Sequence, residues 1–272
     1  MMRGVTLPAP VAAMLLLALA AFAPAASLRA QAPPPATPPP AAAPVAADAP
    51  AQSAPRALEP FVATYAAYHG GRLAGSATMR LVRGDGDGRW RVDLEIAGER
   101  GFAGVVGLNI DQSTVFEVRD GRYRPLSQAT VRKALFFGRR ITGTYDWAAH
   151  SAQWTGDLKK DRRQPIALED GDMSALLINL AIVRDAAPGR AFAYRFVDGG
   201  RVRRYEYAAA ADTEPVEVSD LNYQALRVSR TNGGNDEMIA WIADGVPTPV
   251  RILQREDGED GIDLRLIEYK GA

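Results

Sequence analysis

From about Leu58 onward the chain alternates. Trp90, Val92, Leu94 and Ile96 are apolar, and Arg91, Asp93 and Glu95 between them are charged. Ile262, Leu264 and Leu266 alternate with Asp263 and Arg265, and Val202 to Tyr207 keeps the same beat less cleanly. A period of two puts one set of side chains on a core and the other in water, as in a half-buried β-strand. Turn residues separate these runs. Asp120-Gly121 lies between Thr114–Arg119 and Arg122–Leu126, and Asp198-Gly199-Gly200 between Ala191–Val197 and Arg201–Tyr207. Asn232-Gly233-Gly234, Asp244-Gly245 and Asp257-Gly258 punctuate the later part. Glycine there supplies the positive φ that tight hairpins need. One segment has a helical period instead. Met173, Leu176, Leu177, Leu180 and Val183 predict a helix from Asp172, as N-cap, to about Asp185, ended by Ala187-Pro188-Gly189. The expected fold is mostly β: a curved antiparallel sheet or partly closed β-barrel with one packed helix over residues 172–185.

The N-terminal part breaks this pattern. Arg3 precedes an apolar run from Val11 to Phe22, and Ala23-Pro24-Ala25-Ala26-Ser27 follows. That is the order of a secretory signal, and the run is shorter than the ~20 residues of a membrane-spanning helix. Cleavage is expected after Ala25; the Ala30-Gln31-Ala32 site fits less well because Pro33 follows it. Residues 31–55 hold nine Pro and ten Ala and no aromatic residue. Such a segment buries too little apolar surface to offset its ordering entropy. The expected organisation is a signal peptide over 1–25, a Pro/Ala-rich tether over 26–56 and a β-rich domain over 57–272, exported and most simply periplasmic. With no Cys in the sequence, a lipidated N-terminal Cys, disulfides and thiolate metal sites are excluded.

Charge excludes other classes. The 32 basic and 32 acidic residues cancel, which gives no electrostatic case for nucleic acid. Basic clusters at Arg139-Arg140, Lys159 to Arg163 and Arg201 to Arg204 are read as solvated strand faces and loops. His69 and His150 are the only histidines, each in a turn and without a partner at metal-ligand spacing. Asp170-Gly171-Asp172 is the closest carboxylate pair, and helix capping explains it. Asp257 to Gly261 lacks the calcium-loop pattern and reads as a hairpin tip. No nucleophile elbow is present. No catalytic residue, cofactor or metal site is expected. The least ordinary stretches are glycine-rich and apolar: Phe102, Val105, Val106 and Leu108 among the glycines of Gly98–Ile110, and Phe136-Phe137 before Gly138. Most apolar residues are core, but a loop of this kind can also face a hydrophobic ligand or a partner.

The order of features from about Phe61 to Tyr269 resembles the bacterial family called domain of unknown function 3108. The resemblance rests on Tyr65 to Gly75 with Tyr68 and Gly71, Thr144-Tyr145-Asp146-Trp147, Asp172-Met173-Ser174-Ala175-Leu176, Trp241-Ile242-Ala243-Asp244-Gly245 and Pro249-Val250-Arg251-Ile252. It implies an exported, β-rich envelope protein and brings no catalytic residues. Three readings stay open. The first is a non-catalytic protein that binds a lipid-like small molecule or an envelope partner in a concave sheet. The others are a structural or assembly factor with a filled core, and a carboxylate-dependent hydrolase of envelope polysaccharide.

Overall fold

The computed structural model describes residues 58–98, 109–133 and 138–271. Seven strands come first: β1 (Phe61–His69), β2 (Arg72–Arg83), β3 (Arg89–Gly98), β4 (Asn109–Arg119), β5 (Arg122–Lys133), β6 (Gly138–Asp146) and β7 (Ser151–Gly156). A single 3₁₀ turn, Lys160–Arg163, leads to two-residue strands β8 (Ile166–Ala167) and β9 (Asp172–Met173), then to helix α1 (Ala175–Asp185). Six strands complete the chain: β10 (Ala191–Asp198), β11 (Arg201–Val218), β12 (Leu221–Arg230), β13 (Glu237–Ala243), β14 (Arg251–Glu256) and β15 (Glu259–Gly271).

All fifteen form one sheet in the order β8-β7-β6-β5-β4-β3-β2-β1-β15-β14-β13-β12-β11-β10-β9. First and last long strands therefore pair in its middle, from Phe61 opposite Gly271 to His69 opposite Ile262. Neighbours are antiparallel except β9, which runs parallel to β10. The alternation in β3 is realised as expected, with Trp90, Val92, Leu94 and Ile96 buried. In β15, Asp263 is buried along with Ile262, Leu264 and Leu266. Two guanidiniums hold its carboxylate: Arg251 donates to both oxygens at 2.8 Å, and Arg265 donates at 2.9 Å. Those guanidiniums also lie over the rings of Trp241 and Tyr68, at 4.8 and 4.2 Å. Asp120 and Gly121, both at positive φ, form the expected hairpin turn between β4 and β5.

The sheet is strongly curved but not closed into a barrel. Its two ends meet through side chains instead of a ladder. Tyr145 on β6 donates to the carbonyl of Val197 on β10 at 2.6 Å, and Arg195 on β10 reaches Ala167 O on β8 at 3.3 Å. Around that seam sits a separate apolar cluster of Tyr145, Ala152, Trp154, Leu168 and Val197. Trp154 is 0 % exposed and meets Tyr145 edge-on at 5.4 Å. Gly143 is its register partner, and a Cβ there would overlap the indole. Glycine at this strand position makes room for the ring.

Helix α1 lies inside the curve against β3, β4, β5 and β10, with Leu177, Ala181 and Ile182 fully buried. Its start differs from the sequence expectation. Ser174, not Asp172, is the N-cap, and its Oγ accepts from the Leu177 N–H at 3.4 Å. Asp172 belongs to β9 and is 0 % exposed. The Arg195 guanidinium donates to its carboxylate at 2.5 and 2.7 Å. The carboxylate that serves the helix N-terminus is Asp198, which accepts from Ala175 N–H at 3.0 Å. Ser and Asp cap equally well, so the choice is made by a partner 23 residues away.

Candidate functional site

Curvature leaves a cavity of about 390 Å³ inside the sheet, beside the N-terminal half of α1. Its apolar wall is supplied by Leu94 and Ile96 of β3, Leu176 and Ile178 of α1, Phe196 of β10, Tyr205 and Tyr207 of β11, and Ile252 and Leu264 of β14 and β15. These residues alternate with outward ones along each strand, so the strand period itself lines the wall. The aromatic part is continuous: Phe196 and Tyr205 have ring centroids 4.9 Å apart. Burial pushes the Tyr205 hydroxyl up in pKa, with Arg230 and Arg203 beside it opposing. The Arg230 guanidinium lies 5.0 Å from the Tyr205 ring centroid and also donates to the Asp236 carbonyl.

A second cavity of about 230 Å³ adjoins the first and shares Gln112, Phe196, Arg203 and Tyr205 with it. Its charged lining is mainly cationic: Arg132 and Arg139 from β5 and β6, Lys159 and Arg162 at the 3₁₀ turn, and Arg201 and Arg203 from β11. Two carboxylates are present, and both serve the backbone. Asp157 accepts from Arg140 N–H at 2.8 Å, and Asp198 caps the helix. The Arg132 guanidinium is held below its ordinary pKa by burial and by the neighbouring Arg139 charge, with Glu256 opposing. Burial pushes the Asp198 carboxyl up to about 6, against hydrogen bonds from Ala175 and Gly199. Gln128, 6 % exposed, also lines this cavity. Its amide lies close enough to Asp198 to ease that carboxylate. Even so, its Nε2 has no partner in hydrogen-bond geometry among the described residues.

The three basic clusters read as solvated therefore divide. Arg140, Arg163 and Arg204 are exposed and stay outside the cavities; Arg139, also exposed, borders the second cavity together with the half-buried Arg162, Arg201 and Arg203. Sequence reasoning missed this because the clusters come together only when the two ends of the sheet meet. Phe102, Val105, Val106, Leu108, Phe136 and Phe137 lie outside the described residues. The flanking Ile96, Arg132 and Arg139 line the two cavities.

Other singled-out residues have local roles. His69 ends β1 and its Nδ1 lies 3.0 Å from the Gly261 carbonyl; His150 occupies a turn at φ 49°. Asp170 pairs with Arg124 at 2.8 Å rather than with Asp172. Asp257-Gly258 turns β14 into β15, and Asp260 pairs with Arg255 at 2.8 Å. Among the described residues no three His, Asp or Glu side chains group as a metal site, and no helix is long and apolar enough to cross a membrane.

The family model described as "Protein of unknown function (DUF3108)" matches residues 64–265. Comparison with curated proteins gives no significant match. Two solved structures are similar at low identity. One is a β-barrel-like protein of domain of unknown function DUF1849 from Brucella abortus, with TM-score 0.38 and 12 % identity over 79 % of this chain and 98 % of that one. The other is a DUF1089 family protein from Pseudomonas aeruginosa, with TM-score 0.34 and 10 % identity over 62 % of this chain and 86 % of that one.

Proposed function

The chain belongs to the DUF3108 family of unknown function, and from that premise we propose that it is a non-catalytic binding protein that takes a hydrophobic ligand into the hollow of its curved sheet. The observation that carries this reading is the cavity of about 390 Å³ walled by Leu94, Leu176, Phe196, Ile252 and Leu264. Small-molecule sites typically fall within ~300–1,000 Å³ and combine an apolar wall with a few polar groups. The carboxylates that sequence reasoning weighed for hydrolysis, Asp170 and Asp172, are each held in an ion pair with an arginine. The signal-like N-terminus supports a periplasmic setting, where apolar molecules must be shielded from water on their way between membranes.

The test is fluorescence of N-phenyl-1-naphthylamine, a neutral apolar probe, with the purified domain. Saturable enhancement with one site per chain is expected. The reading is abandoned if the probe shows no saturable binding, since a hollow that refuses an apolar probe is not a binding site.

A further inference from the structure

The adjoining cationic cavity narrows the class of ligand. Resting on the binding reading above, we infer that the ligand is an anionic amphiphile, its apolar chain against Phe196 and Tyr205 and its acidic headgroup among Arg139, Arg162 and Arg201.

Adjacency of the two spaces is the first support. Phe196 and Tyr205 line both, so an apolar chain packed on these rings ends beside the cations. The sign of the charge is the second. The small cavity gathers six basic side chains and two carboxylates, and both carboxylates already accept backbone N–H groups. Like charges brought together in a partly desolvated space repel one another. An oxyanion relieves that repulsion and accepts charge-assisted hydrogen bonds from guanidinium groups. The third support is Gln128. Its buried amide eases the Asp198 carboxylate but its Nε2 meets no acceptor in good hydrogen-bond geometry among the described residues, an arrangement uncommon in folded proteins. The amide lines the cationic cavity and offers a donor to a ligand oxygen. A neutral lipid could answer that donor but would leave the repulsion unanswered.

The larger cavity also carries acids. Asp236, Glu237, Glu256 and Asp257 border it together with Arg230 and Arg255, the last paired with Glu237. Burial pushes the Glu256 carboxyl up, and Asp236 and Asp257 push it further, with His69 and Arg132 opposing. A negatively charged headgroup is disfavoured beside Asp236, Glu256 and Asp257 and favoured among the arginines of the second cavity.

The experiment uses one chain length with four headgroups. Oleyl phosphate, oleate, oleyl alcohol and oleylamine compete with N-phenyl-1-naphthylamine below their micelle concentrations, and inorganic phosphate is run alone. Oleyl phosphate and oleate should displace the probe at least tenfold better than oleyl alcohol. Oleylamine should be the weakest, and phosphate alone should displace nothing. In the double variant Arg139→Gln, Arg162→Gln the preference for oleyl phosphate over the alcohol should fall at least threefold, with oleyl alcohol unchanged. Gln128→Leu should weaken the phosphate and leave the alcohol unchanged. Equal displacement by phosphate ester and alcohol would overturn the headgroup assignment while leaving the apolar site standing. Tighter binding of the amine would overturn it in favour of the acids of the larger cavity. Displacement by inorganic phosphate alone would mean an anion site with no chain. Failure of the probe to bind at all would remove the parent reading instead.

Discussion

Helix α1 has arginine, carboxylate and tyrosine side chains at both of its ends, and the two ends are built differently. At the C-terminal end Arg184 donates to both oxygens of Asp185 at 2.7 and 2.8 Å. Tyr194 donates to the same carboxylate at 2.8 Å, and Arg184 also reaches Gly121 O and lies over Tyr123. Burial alone would raise the pKa of Asp185; Arg184, Tyr194 and Arg190 together outweigh it and hold the carboxyl below its ordinary value. A space of about 230 Å³ remains there, but among the described residues its only lining guanidinium is Arg184, already paired. At the N-terminal end guanidiniums outnumber carboxylates, and the Asp198 carboxyl is raised instead. Matched groups fix a helix in place. A surplus of one sign beside an apolar hollow leaves something for a ligand to complete.

The contrast can be broken most forcefully at the closed end. Asp185→Ala leaves Arg184 and Tyr194 without their part-buried partner, and the expected loss is about 1–3 kcal/mol in urea unfolding. Affinity for N-phenyl-1-naphthylamine should stay within twofold. A loss under about 1 kcal/mol would show that the C-terminal pairing does not hold the helix.

A smaller effect separates the two carboxyls by the sign of their pH response. Asp198, raised to about 6, binds its proton more readily folded than unfolded. Its contribution is therefore greatest at low pH and is lost as pH rises from about 4 through 6. Asp185, held low, contributes above the ordinary carboxylate range and loses that contribution as pH falls. Asp198→Asn keeps an acceptor for Ala175 N–H and removes the titration. Its stability relative to the parent should rise by about 1–2 kcal/mol between pH 4 and pH 7. A difference that is flat with pH would place the carboxyl in water.

Next in size is a substitution that uses the hollow. Ala175 lines the larger cavity at the first turn of the helix. Ala175→Phe should cost less than about 1 kcal/mol, against about 1–3 kcal/mol for overpacking a filled core. Probe affinity should fall at least tenfold. A large stability loss with unchanged binding would show a packed interior there. Smallest of all, Arg139→Gln with Arg162→Gln should leave thermal stability within about 0.5 kcal/mol of the parent. A greater loss would mean that these arginines are structural, as Arg184 is.

Much of the frame was legible in the sequence. Strict alternation located β3, and Asp-Gly and Gly-Gly pairs located the hairpins, because a strand period and a turn φ are set by residues adjacent in the chain. The helix was legible too, apart from its first turn, where Arg195 claims Asp172 and leaves capping to Ser174. Other elements gave weaker signals. The Ser219-Asp220 turn has positive φ at both residues without glycine. β11 runs on to Val218 through an irregularity between Ala209 and Thr213, beyond the expected Arg201–Tyr207. The cavity was the least legible part. Its cations come from β5, β6, the 3₁₀ turn and β11, which meet only through the rolling of the whole sheet, and no local period encodes that meeting.

The central claim is that the end of the molecule at the helix N-terminus holds an anionic, apolar-chain ligand. It is met most directly by native mass spectrometry of the mature protein purified from the cell envelope without detergent. The account predicts a one-to-one adduct of a few hundred daltons, on the order expected for a cavity of this size class. Fragmentation in negative-ion mode should give an acyl or phosphate-bearing anion, and the adduct should be depleted in the Arg139→Gln, Arg162→Gln variant. A clean apo mass from the envelope, in a protein that also refuses N-phenyl-1-naphthylamine, would contradict it.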